Sequence, residues 1–112
     1  MNDLASKRCV PCEGGIPALT AAEARAQMTA LAATWTLAAD ARSIGREFRF
    51  LDFYRTMSFV NALAHIANIE DHHPDLEVGY NYCRVRYNTH AVGGLSQNDF
   101  ICAAKIDQLP LK

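Results

Sequence analysis

The chain has 112 residues, half of them apolar and 21% charged, an ordinary globular composition for one domain with a real but small core. Its formal net charge of −1 gives no basic face for nucleic acid, and no apolar run approaches the roughly 18–20 residues that cross a bilayer. The opening MNDLASKRC lacks the apolar core of a signal peptide, so the expectation is a cytoplasmic protein whose four cysteines (Cys9, Cys12, Cys83, Cys102) stay reduced.

Residues 1–19, ending in CVPCEGGIPAL, hold two Pro and two Gly without periodicity and read as an irregular arm. The remainder, 20–112, reads as a single domain. Thr20-Ala-Ala-Glu23 is a capping box, and Ala24, Met28, Leu31 and Ala32 follow at helical spacing, predicting a helix to about Ala33. Trp35-Thr-Leu37 opens a short strand, Ala39 to Arg42 a turn, and 43-SIGREFRF-50 a second strand. Ile44, Phe48 and Phe50 share one face of that strand, which Arg46 interrupts. Asp52 can cap the longest helix, 53–70, where Phe53, Met57, Val60, Ala64 and Ala67 form an apolar stripe.

Pro74 cannot continue that helix and disfavours helical geometry at His73. Leu76, Val78 and Tyr80 alternate in one strand, Cys83, Val85 and Tyr87 in the next, and Asn81 suits the turn between them. After Gly93-Gly94, Ser96 to Asp99 forms a second capping box that opens a last helix with Phe100, Ala103, Ala104 and Ile106. The order α-β-β-α-β-β-α predicts an α+β fold, a four-stranded antiparallel sheet with three helices packed on one face.

Three of the four histidines fall within 68-NIEDHHPDLEVGYNYCRVRYNTH-90. Folded as a hairpin, this segment returns the third histidine to the first two. A turn centred between Asn81 and Tyr82 sets His73 opposite His90, and one centred on Asn81 sets His72 there, with Cβ atoms roughly 5 Å apart. Three readings compete. The residues can be a helix end and a polar strand end, cations suiting the helix dipole. They can be a three-His zinc site, although adjacent histidines point in different directions and rarely share one ion. They can also be an acid–base site, since imidazole titrates near neutral pH.

Elsewhere the signals are weaker. Cys9-Val-Pro-Cys12 lacks the second pair that structural zinc wants, and lies in a Pro/Gly arm rather than at a helix start after a strand. His65 sits off the apolar stripe of the long helix and reads as structural. Arg84 and Arg86 alternate with the apolar residues of their strand and mark its wet face.

The histidine segment resembles the pterin-4a-carbinolamine dehydratase family. His72-His73-Pro74 is followed by five residues and Tyr80, nine more and His90, then eight more and Asp99. Trp35, Phe48-Arg49-Phe50, Asp52-Phe53, Phe59 and the loop 93-GGLSQND-99 also look like family positions, so the resemblance covers roughly residues 20–107. The cysteine–proline arm is similar to that of many bacterial members. Two positions depart from the pattern: Asn68 stands where the family carries an ionisable residue, and Leu76 near where many members carry Trp.

The resemblance implies elimination of water from a 4a-hydroxytetrahydropterin to give the quinonoid dihydropterin, with no metal and no cofactor of the enzyme's own. It makes His72 and His90 the proton-transfer groups at the hydroxyl and His73 a residue that holds the pterin. Asp71, Asn88 and Thr89 would line the ring pocket. Asn68 would face it without a charge, and Asp99, which a capping box also explains, would support it. A homodimer or homotetramer is implied, with an aromatic amino acid hydroxylase as pathway partner and neither nucleic acid nor membrane. Two alternatives stand beside this: a non-catalytic dimerisation or binding module, as in animal members that assist a homeodomain transcription factor, and a relative acting on a different, molybdopterin-related pterin.

Overall fold

A computed structural model describes residues 4–11 and 17–110 of the protein. Helix α1 spans Ala21–Met28, strands β1 and β2 Thr36–Leu37 and Ile44–Arg49, helix α2 Phe53–Glu70, strands β3 and β4 Asp75–Val78 and Tyr82–Tyr87, and helix α3 Gln97–Asp107. Single 3-10 turns occupy Leu4–Ser6 and His90–Val92. The four strands pair antiparallel in the order β1-β2-β4-β3, and the helices cover one face, as the sequence predicts.

The core lies between that face and the helices. Ile44 and Phe48 of β2 and Cys83, Val85 and Tyr87 of β4 point into it and are buried, while Glu47, Arg84 and Arg86 lie on or at the opposite, charged face. Arg46 shares the inner face, and its interruption of the apolar pattern is resolved by α3. Its guanidinium meets Asp107 at 2.7 Å and lies 4.2 Å from the Phe48 ring centre. The same carboxylate accepts from Trp35 Nε1 at 2.7 Å and from the Ala32 backbone at 2.9 Å, joining α3 to the α1–β1 connection.

Both capping boxes form, at Thr20 with Glu23 and at Ser96 with Asp99. Two expectations need correction. Helix α1 ends at Met28 rather than near Ala33, the chain continuing through tight turns that bury Leu31 and Trp35. The stripe that α2 buries is Thr56, Phe59, Leu63, Ala67 and Glu70, whereas Phe53 is 47% exposed. Apolar residues occur on two adjacent sides of this helix, and only packing selects between them. Leu76 and Val78 do face the helix side, but as edge-strand residues they remain 39% and 40% exposed.

The hairpin register also differs. Asp75 pairs with Arg86 and Val78 with Cys83, so the turn is centred between Tyr80 and Asn81. Continued past its last pair, that register would bring Thr89, not His90, opposite His72. Gly79 closes the turn with its N–H donating to the Tyr82 carbonyl at 3.0 Å, and a Cβ there would lie 2.1 Å from the Tyr82 ring, so this turn accommodates only glycine. Thr56 of α2 locks the turn by donating to the Tyr80 carbonyl at 2.9 Å.

Candidate active site

Helix α2 ends at Glu70, four residues before Pro74. Its last turn closes through Asp71, which adopts left-handed geometry (φ 50°, ψ 43°), with His72 N–H donating to the Ala67 carbonyl at 3.1 Å. This is a helix stop of the kind usually made by glycine, and Asp is among the few residues that tolerate it. The reversal turns His72 inward beneath the helix and leaves Asp71 and His73 exposed.

The hairpin, the end of α2 and the N-terminal arm enclose a cavity of about 820 Å³. From α2 and the following turn come Ile69, Glu70, Asp71, His72 and His73. The β4 end supplies Asn88, Thr89 and His90, and the arm supplies Cys9, Val10 and Pro11. All six residues expected to contact substrate or move protons (His72, His73, His90, Asp71, Asn88 and Thr89) therefore line one space.

His72 is the most constrained of them. Its side chain is 12% exposed, its Nε2 lies 2.6 Å from Asp99 Oδ1, and its ring stacks on Tyr87 at 5.4 Å between centres and 11° between planes. Burial would lower the imidazole pKa. The hydrogen bond and charge of Asp99, with smaller contributions from Cys102 and Asp71, outweigh it and hold the pKa above its usual value.

Asp99 is fully buried beneath the cavity floor. Its second oxygen accepts from Thr89 Oγ1 at 2.8 Å and from the Ser96 backbone at 2.9 Å. The capping interpretation of Asp99 is thus only half of its structure: one carboxylate starts α3 and anchors both His72 and Thr89. Asn68, one turn before His72, reaches His73 instead, its Oδ1 3.1 Å from His73 Nε2. His90 opens the 3-10 turn after β4 and is exposed at the rim. Among the described residues no three His, Cys, Asp or Glu side chains group as metal ligands.

Sequence reasoning missed the contribution of the arm. Glu70 is 4% exposed at its side chain, accepts from the Cys9 backbone at 2.7 Å and pairs with Arg8 at 3.0 Å. Burial alone would raise its pKa, but the Cys9 N–H, Arg8 and Lys105 together hold it below the usual carboxylate range. Asn98 of α3 brackets Val10, accepting from its N–H at 3.1 Å and donating to its carbonyl at 2.6 Å. A polar Glu70 on the buried stripe of α2 was the one available signal.

A family model described as pterin 4 alpha carbinolamine dehydratase matches residues 17–109. A Nitrosomonas eutropha protein named "Putative pterin-4-alpha-carbinolamine dehydratase" is 58% identical over 107 residues, covering 96% of this chain and 93% of that one. A Legionella pneumophila protein of the same name is 57% identical over 108 residues, covering 96% of each. The crystal structure of a transcriptional coactivator/pterin dehydratase from Brucella melitensis superposes with a TM-score of 0.75 at 31% identity, over 80% of this chain and 94% of that one. A pterin dehydratase-like protein identified as a RuBisCO assembly factor shares the fold at 20% identity, with a TM-score of 0.58. On the family match and these identities, the chain belongs to the pterin-4-alpha-carbinolamine dehydratase family.

Proposed function

We infer that the protein eliminates water from a 4a-hydroxytetrahydropterin, releasing the quinonoid dihydropterin. The observation that carries this reading is the buried Asp99 carboxylate holding His72 at the floor of a cavity that His73 and His90 also line. The reaction moves no electrons to an acceptor. The C4a–O bond breaks, the departing oxygen takes a proton and leaves as water, and the proton on N5 is lost as the C4a–N5 double bond forms. Groups that give and take protons near neutral pH are therefore sufficient, and positioned general acid–base catalysis contributes about 10²–10⁴-fold.

In this reading His72 and His90 handle the proton at the hydroxyl. Asp99 takes the Nε2 side of His72, leaving Nδ1 as the nitrogen for exchange, and its charge favours the imidazolium that a general acid requires. His73, held by Asn68, binds the ring with Asp71, Asn88 and Thr89. The enzyme would act in the cytoplasm as a homodimer or homotetramer, recycling the pterin of an aromatic amino acid hydroxylase.

A binding role is the second reading, favoured by the likeness to the Brucella melitensis transcriptional coactivator/pterin dehydratase. Chemically generated 4a-hydroxytetrahydropterin, followed by ultraviolet absorbance, separates the two. Dehydration accelerated by the wild type, insensitive to chelator and lost in His73→Ala and His90→Ala supports the enzyme. A rate equal to the spontaneous one would leave the binding role, or a different pterin, with Asn68→Glu the first change to try.

A further inference from the structure

Cys9 and Cys102 are separated by 93 positions, on the arm and on α3, yet their sulfurs are 3.5 Å apart. Neither residue has a part in the dehydration chemistry. Cys102 is fully buried, whereas Cys9 is half-buried and borders the histidine cavity. Around Cys9 the arm is in neither helix nor strand and is held by polar contacts: Arg8 and the Cys9 N–H to Glu70, the Cys9 thiol to the Asn98 carbonyl at 3.7 Å, and the two bonds between Val10 and Asn98. Bringing the sulfurs to bonding distance requires a closure of about 1.5 Å, small enough for side-chain rotation and a slight shift of such a segment.

The pair is also chemically asymmetric. The Cys9 hydrogen bond holds the Cys102 thiol below its usual pKa against the effect of burial, with protonated His72 acting in the same direction. The hydrogen bond to Cys102, together with burial, pushes Cys9 up. The two sulfurs also differ in access, one reachable from the cavity and the other enclosed.

We propose that Cys9 and Cys102 form a reversible disulfide that latches the N-terminal arm onto α3 as a fixed wall of the histidine cavity. The oxidant is a small disulfide, RSSR. Access rather than acidity selects the attacking sulfur: Cys9, which borders the cavity, gives up its proton and attacks RSSR, forming a mixed disulfide and expelling one thiolate, which takes up a proton. Cys102 then gives up its proton and attacks the Cys9 sulfur, expelling the second thiolate. Two protein thiols are oxidised and RSSR is reduced to two RSH; excess reduced thiol reverses the exchange. Only an effect of the latch on turnover rests on the dehydratase reading.

The test uses the full chain equilibrated in oxidised or reduced glutathione, then acid-quenched, alkylated and peptide-mapped, with amide hydrogen exchange in parallel. Cys9→Ser and Cys12→Ser are the variants, since Cys102 is too buried to replace safely; Cys12 lies outside the described residues. Oxidised wild type and Cys12→Ser should each lose two alkylatable thiols and yield a Cys9–Cys102 cross-linked peptide, absent from Cys9→Ser. Exchange at the Cys9 and Val10 amides should slow on oxidation. Cys102 remaining alkylatable, or Cys9 linked to Cys12, overturns the pairing, and an unchanged exchange rate in the linked protein overturns the latch. None of these readouts involves a pterin.

Discussion

His72 Nε2 and Asp99 Oδ1 are 2.6 Å apart across 27 positions of sequence, joining the turn after α2 to the first turn of α3. The same carboxylate holds Thr89 at the end of β4. Three elements that meet at the cavity are therefore tied to a single buried side chain.

Asp99→Asn should lower turnover by about 10²-fold, within the range for a misoriented acid–base group, chiefly through kcat rather than KM. A histidine titration followed by NMR should show the His72 pKa falling, a change that loss of the cap alone would not produce. The weakened cap and the disturbed Thr89 contact should together cost about 1–3 kcal/mol on urea unfolding.

The raised pKa of His72 also makes stability depend on pH. The folded state favours the imidazolium more than the unfolded chain does, where the value is near 6.5. This contribution is fully present below that value and is lost as pH rises through the folded pKa. Urea unfolding from about pH 6 upward should show the decline in wild type and a flatter profile in Asp99→Asn. Turnover that depends on protonated His72 should fall over the same window.

Asp71→Ala should destabilise the protein by about 1–2 kcal/mol, because alanine resists the left-handed geometry that asparagine, aspartate or glycine accept. Asp71→Gly should be as stable as wild type or slightly better. Comparing KM between the glycine variant and wild type then isolates the carboxylate as a ligand for the pterin, free of the backbone effect.

Asp107→Ala should cost roughly 2–4 kcal/mol by chemical denaturation, since Arg46 and Trp35 Nε1 would lose their shared partner in a largely buried setting. Turnover per folded molecule should be unchanged, as none of Arg46, Trp35 and Asp107 lines the cavity. A matching loss in kcat would overturn that separation.

What was legible in the sequence was local. The two capping boxes, the alternation in β4 and the length of α2 follow from hydrogen-bonding side chains and apolar spacing within a few residues, and together they specify the α+β order. The histidine segment was also legible as a group, because its spacing is a property of the sequence itself. The register was not: a one-residue change in turn position leaves the alternation intact, and the pairing of Asp75 with Arg86 is settled only when the chain folds back.

The stripe that α2 buries and the partners of the site lay beyond the sequence for the same reason. Phe53, Met57 and Val60 are as apolar as Phe59 and Leu63, and only the sheet decides which side is covered. Asp99 serves equally as a cap in any helix, and becomes the anchor of His72 because β4 and α3 bring them together. Residue identity determined which groups can cap, titrate or pack. Tertiary structure decided which of them meet, since burial and hydrogen-bond partners belong to pairs of residues distant in the chain.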